Sequence, residues 1–286
     1  MDITRVGSFT LDWGESVVWD DRRNRLYFVD CMKSTLHWLE DGSDELHTVA
    51  TPSMPTGVVP CDDGRLLVVL DDGLHLVDPD GARWELLTHY PDEIGGRCND
   101  ACADLDGHLI TGKLNLGPAE GSAWWYSNSD GWRMLDPDIA NTNGPTVAEL
   151  DGAMTLIIGD TSAQYFSYPY TPSAGTVGAR TVFGDVSSLD GGPDGATLDV
   201  DGGLWCALFD GGQLARFTTR GLERTVPMPM RNPTDVTFGG VDLDVLYVVS
   251  TNGPDDLAGA LLRIDGLDVR GRPEPRFTVP TSGTPG

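Results

Sequence analysis

The chain has 286 residues, 40% hydrophobic and 22% charged, enough apolar content to bury a large core. Its formal charge of −25 creates a field that repels phosphodiester backbones and anionic membrane surfaces, so neither nucleic acid nor membrane is expected as a partner. The opening MDITRVGSFTLDW lacks a basic segment followed by an apolar one, no run approaches a membrane span, and the five cysteines complete no metal or disulfide pattern. The expectation is a cytoplasmic protein with reduced thiols.

Along the chain, short β-branched and aromatic runs recur: SVVWD, RLYFVD and TLHWLE, then RLLVVL and GLHLVD, and later LDVLYVVS. Each is bounded by Gly, Asp, Pro or Asn, which reads as strands separated by turns. The turns DDGR, LDGH, LDGA and VDGG suit hairpins, because Gly accepts positive φ and Asp bonds its own backbone. Runs and turns form a repeating unit. Starting the units at Glu15, Gly57, Asn99, Asn143, Asp194 and Asp235 gives spacings of about 41 to 51 residues, the range of four-stranded propeller blades. The expected fold is all-β, a six-bladed β-propeller with four-stranded blades around a central channel, with residues 1–286 as a single domain. A pair of β-sandwiches is the competing architecture. The C-terminal EPRFTVP is expected to pair with the N-terminal ITRVGSF and complete one blade from both chain ends, which removes exposed edges.

In a propeller the innermost strands line the channel, so equivalent positions of successive units converge at one mouth. The unit starts Glu15, Asn99, Asn143 and Asp194 all carry side-chain oxygen. Carboxylate and amide oxygens without nearby His or Cys suit a hard cation, Ca²⁺ first and Mg²⁺ or Mn²⁺ next. A lone Asn143-Gly144 reads equally as a turn; the shared phase of four units is what favours a site. RCND places Arg97 and Asn99 at i and i+2, hence on one strand face, where a guanidinium offers several donors to ligand hydroxyls or carboxylates. The alternative is an arginine satisfied by an acidic neighbour.

The stretch SLDGGPDGATLDVDGG superficially matches an EF-hand loop through Asp190, Asp194, Gly195 and Asp201, but Gly192 occupies a ligand position and no helices flank it. Asp199 and Asp201 share the turn phase of Asp104 and Asp106, so they read as hairpin chemistry.

Four segments, in order and at blade spacing, resemble the regucalcin/gluconolactonase family, the senescence-marker-protein type of six-bladed propeller that includes luciferin-regenerating enzymes. They are GESVVWDDRRNRLYFVD, RCNDACADLDGHLITGKLN, GGPDGATLDVDGGLWCALFDGGQLARF and NPTDVTFGGVDLDVLYVVST. The resemblance implies one divalent metal in the channel, Ca²⁺ first and Mg²⁺, Mn²⁺ or Zn²⁺ as alternatives, held by Glu15, Asn143 and Asp194. It also implies substrate contacts from Arg97 and Asn99. The related diisopropyl fluorophosphatase propellers resemble the pattern too and would make Asn99 a further ligand, directly or through water. Cys98 stands where the family usually has an aromatic residue, and Gly112-Lys113-Leu114 where it has Gly-Thr-Met. The implied activity is metal-dependent opening of a small sugar-type lactone to its aldonic acid, with Asp194 as ligand and base. The alternatives are a phosphotriesterase or aryl-esterase at the same metal, and a non-catalytic calcium- or sugar-binding propeller.

Overall fold

The inner runs of the sequence are unbroken rather than alternating because their strands are buried on both faces. Arg25–Asp30 is buried from Leu26 onward, and all of Leu66–Leu70 and Val245–Ser250 are buried, whereas the peripheral strand Arg83–His89 is largely exposed. The computed structural model describes residues 1–114, 121–161 and 164–280. Its strands form six antiparallel sheets. These are the six blades, with innermost strands Gly14–Asp20, Gly57–Pro60, Cys98–Ala103, Thr142–Leu150, Gly192–Leu198 and Pro233–Gly239. Every unit start read from the sequence lies in one of them. In the fourth blade the outer position is split between Thr176–Val177 and Thr181–Gly184, both pairing with Tyr165–Thr171.

The core lies between blades. Val59, Leu67 and Leu74 of the second blade pack with Leu109 and Trp124 of the third, and Trp205 and Leu214 of the fifth with Val236, Leu246 and Leu262 of the sixth. Single side chains join neighbouring inner strands: Ser16 Oγ accepts from Val58 N at 2.7 Å, Asp100 Oδ2 from Gly144 N at 2.8 Å, and Asp235 Oδ2 from Val17 N at 2.7 Å. The last of these closes the ring between the sixth and first blades.

Ring closure by the chain ends differs from expectation. The N-terminal strand Asp2–Val6 completes the sixth blade, but its partner is Leu261–Asp265. The segment EPRFTVP instead runs beneath the second and third blades, with Phe277 bridged to Cys61 and Thr278 N bonded to Gly107 O. Phe277 explains the choice. It is fully buried among the cores of those two blades, whereas an outer strand would leave it half in water.

This tail carries Glu274 into the end of the channel remote from Glu15, beside Asp100 and Asp235. Burial, with the Asp100 charge adding to it and a Thr197 hydrogen bond opposing it, raises the Glu274 carboxyl from 4.5 to about 7. Arg272 and Arg276 on the same segment are engaged elsewhere, by Asp199 O and Val200 O and by Asp20 and Asp21. A raised acid pKa favours the fold while the group is protonated: the contribution is complete below the unfolded value and is lost as pH rises through about 7. Glu274→Gln keeps an oxygen for Thr197. It is expected to match wild type near pH 4.5 and to exceed it at pH 8 by on the order of 1–3 kcal/mol. Urea unfolding at the two pH values checks this; equal stability at pH 8 would contradict it.

Asp199 has a larger part than a turn. Its Oδ1 accepts from Asp201 N and Gly203 N, shaping the hairpin, while Oδ2 accepts from Trp205 Nε1 at 2.9 Å and Arg216 Nε at 2.7 Å. Both Asp199 and Arg216 are buried.

Candidate functional site

Five of the six inner strands change register immediately around the unit start: between Glu15 and Val18, Cys98 and Ala101, Asn143 and Thr146, Pro193 and Ala196, and Pro233 and Asp235. The second blade, whose unit starts with Gly57, stays in register. A bulge inserts an unpaired residue and re-aims the side chains beside it. Here it separates two rows of polar groups. Glu15, Asn99, Asn143 and Asp194 face a cavity of about 290 Å³ at the channel mouth, while Asp100 and Asp235 face the channel below. Gly144 makes the fourth bulge possible: its φ is +47°, and a Cβ there would lie 2.6 Å from Ala196. At Gly195 a Cβ would overlap the Asp235 carboxylate, at 1.9 Å.

The cavity brings together the five candidate metal and substrate residues of the sequence: Glu15, Arg97, Asn99, Asn143 and Asp194. The amide orientations follow from acceptor-only partners. Asn99 Nδ2 donates to Thr142 O at 3.0 Å and to Asn143 Oδ1 at 2.6 Å. Asn143 Nδ2 donates to Thr161 Oγ1 and to Pro193 O at 3.4 Å. The Asn143 carbonyl oxygen is thereby turned to the Asn99 side. Asp194 is anchored through its backbone, which exchanges two hydrogen bonds with the buried Tyr165 hydroxyl at 2.6 and 3.1 Å. Trp13 Nε1 donates to Glu15 Oε1 at 2.8 Å.

Arg97 lines the cavity and is also engaged by an acidic neighbour: its Nη1 meets Asp71 Oδ1 at 3.0 Å and Met54 Sδ at 2.7 Å. Leu114 lines the cavity, whereas Cys98 is fully buried in the core behind it.

The electrostatics of the site are dominated by crowded acids. Burial raises Glu15 to about 8, with the Trp13 hydrogen bond opposing and the Asp100 charge adding. Burial, followed by the charges of Glu15, Asp235 and Asp100, pushes Asp194 well above the carboxylate range. Asp235 is pushed up by burial and then by Asp100 and Glu15. Asp100 rises to about 6 through burial, against hydrogen bonds from Gly144 N and Ala101 N. Among the described residues lining the cavity the cationic side chain is Arg97, already facing Asp71.

A buried carboxylate from Asp194, a half-buried one from Glu15 and an oriented amide oxygen on one cavity, with little positive charge from the chain, form a hard-oxygen donor set that fits a divalent cation. Among the described residues there is no group of three or more His, Cys, Asp or Glu placed to hold a metal. Glu15 and Asp194 are two such residues, and the remaining donors here are amides. No helix among the described residues is long and apolar enough to cross a membrane.

Sequence reading missed Asp100, Asp235, Asn141 and Thr161. Asp235 was legible as a unit start in the phase of Asp194, and Asp100 as the neighbour of Asn99. Asn141 lines the cavity beside Asn143, two residues upstream in the same strand phase. Thr161 had no signal, since it reaches the site from a neighbouring loop.

The fold and this site define a six-bladed propeller with an oxygen-lined cavity at one mouth of its channel. The model of the SMP-30/gluconolactonase/LRE-like region matches residues 13–252, and the chain belongs to that family. It is 29% identical to pentonolactonase XacC of Haloferax volcanii, over 98% of this chain and 99% of that protein. Among solved structures, a luciferin-regenerating enzyme superposes with a TM-score of 0.88 at 26% identity, covering 97% of this chain and 99% of the other. Regucalcin of Agrobacterium tumefaciens, described as a calcium-binding protein, superposes with a TM-score of 0.87 at 25% identity, covering 96% and 97%.

Proposed function

We propose that the protein is a divalent-metal-dependent lactonase that opens a small sugar-type lactone to its aldonic acid, with Ca²⁺ held by Glu15, Asn143 and Asp194. The observation that carries the reading is the meeting of those three oxygen donors with Arg97 and Asn99 on one cavity. Family membership supports the reaction class, since a relative covering nearly the full chain is named a pentonolactonase. At about 290 Å³, the cavity is at the small end of ligand sites, which suits a single five- or six-carbon ring over an oligosaccharide.

The bound cation would supply Lewis-acid polarisation of the lactone carbonyl. Asp194 takes the proton from the attacking water as its oxygen bonds to the carbonyl carbon. The ring C–O bond then breaks, and the proton passes to the departing ring oxygen, which becomes the chain hydroxyl of the acid. Arg97, held by Asp71, and Asn99, held by Thr142 O, present polar atoms to ring hydroxyls and fix the face exposed to water. Trp13, Met32, Met54, Leu114 and Phe209 supply the apolar wall, which limits water around the reacting carbonyl.

A panel of pentono- and hexonolactones, aryl esters and organophosphates, assayed with and without chelator, tests the reading. Lactone hydrolysis abolished by chelator and restored by Ca²⁺ is expected. Chelator-resistant turnover would overturn the metal role, preference for organophosphates the reaction class, and calcium binding without turnover the enzymatic reading itself.

A further inference from the structure

Trp13 is a large aromatic left 39% exposed at the mouth of the cavity, where burial alone does not account for it. Its main chain is pinned: Trp13 N donates to Asp30 Oδ1 at 3.2 Å, Trp13 O accepts from Cys31 N at 2.9 Å, and the residue bridges to Thr251 of the sixth blade. The indole then has two partners. Its N–H is spent on Glu15 Oε1 at 2.8 Å, and its ring lies against Phe209, centroids 5.8 Å apart and planes within 14°. Phe209 belongs to the fifth blade, directly opposite Gly192, two residues before Asp194. The indole therefore ties the strand that carries Glu15 to the blade that carries Asp194, across the mouth of the sixth.

We infer that Trp13 is a positioning residue for the cation site, its indole N–H fixing the Glu15 carboxylate while its ring braces the first blade against the fifth. The inference rests on the proposed function and extends it to a residue outside the donor set. Glu15 has several rotatable bonds and, unsupported, is free to turn away from the cavity that it shares with Asp194. A hydrogen bond from a rigid, stacked donor restrains it there. Partners that orient metal ligands in this way typically change metal affinity by about 10- to 100-fold.

The test compares wild type, Trp13→Phe, which keeps a ring and loses the donor, and Phe209→Leu, which keeps the donor and loses the stack. Calcium affinity is measured by titration calorimetry without substrate, and the thermal midpoint is measured in chelator. Trp13→Phe is expected to weaken Ca²⁺ binding about tenfold or more with an unchanged midpoint in chelator, and Phe209→Leu to weaken it less. Wild-type affinity in Trp13→Phe overturns the inference. So does a lowered midpoint with unchanged affinity, because that describes a purely structural residue. If wild type itself binds no Ca²⁺, the metal reading fails and the positioning role falls with it, a result distinct from failure of the variant alone.

Discussion

Asp194→Asn is expected to reduce lactone hydrolysis by about 10²- to 10⁴-fold while leaving the propeller folded. The substitution keeps the shape of the side chain and one oxygen for a cation, and it removes the proton acceptor. The surroundings make the argument specific. Asp194 is buried, its main chain is locked by Tyr165, and its carboxyl is forced upward by burial and by Glu15, Asp235 and Asp100. Replacing a crowded acid by a neutral amide relieves that repulsion, so the variant in chelator is expected to melt no lower than wild type. Initial rates on the preferred lactone with saturating Ca²⁺, together with a melting curve, check both halves. Near-wild-type turnover would move the base elsewhere in the cavity.

Asp199→Ala acts on the fold and leaves the site chemistry alone. The substitution leaves the Arg216 guanidinium, 4% exposed, without its fully buried partner, and strips an acceptor from Trp205 Nε1. Breaking one side of a buried ion pair costs about 3–5 kcal/mol. Because Glu223 still contacts Arg216, the lower end of that range is expected. Urea unfolding measures it, and a loss below about 1 kcal/mol would contradict the account. Pairing Asp199→Leu with Arg216→Met is expected to recover much of the loss, since well-packed apolar groups commonly replace such pairs without penalty.

The blade repeat was legible because the physics of a blade is local. Hairpin turns demand Asp-Gly pairs, and strands buried on both faces demand unbroken runs such as LLVVL. Glu15, Asn99, Asn143 and Asp194 could be collected because the ring places equal phases at one mouth. What stayed hidden depended on contacts between distant segments. The destination of the tail was set by a pocket for Phe277 between two blades, and nothing in EPRFTVP distinguishes that pocket from an outer-strand position. The division between an upper row at the cavity and a lower row of Asp100 and Asp235 comes from bulges, which shift strand alternation by one residue. Asp199 was read from its turn, and its pairing with Arg216 needed the third strand of the blade to be in place.

The most direct measurement is a crystal structure of the protein with Ca²⁺ and the aldonic acid of its best lactone. The account predicts one ion bonded to Glu15, Asn143 and Asp194 at about 2.3–2.6 Å, with the acid between it and Arg97. An ion held elsewhere in the channel, with those three side chains facing only water, would contradict it.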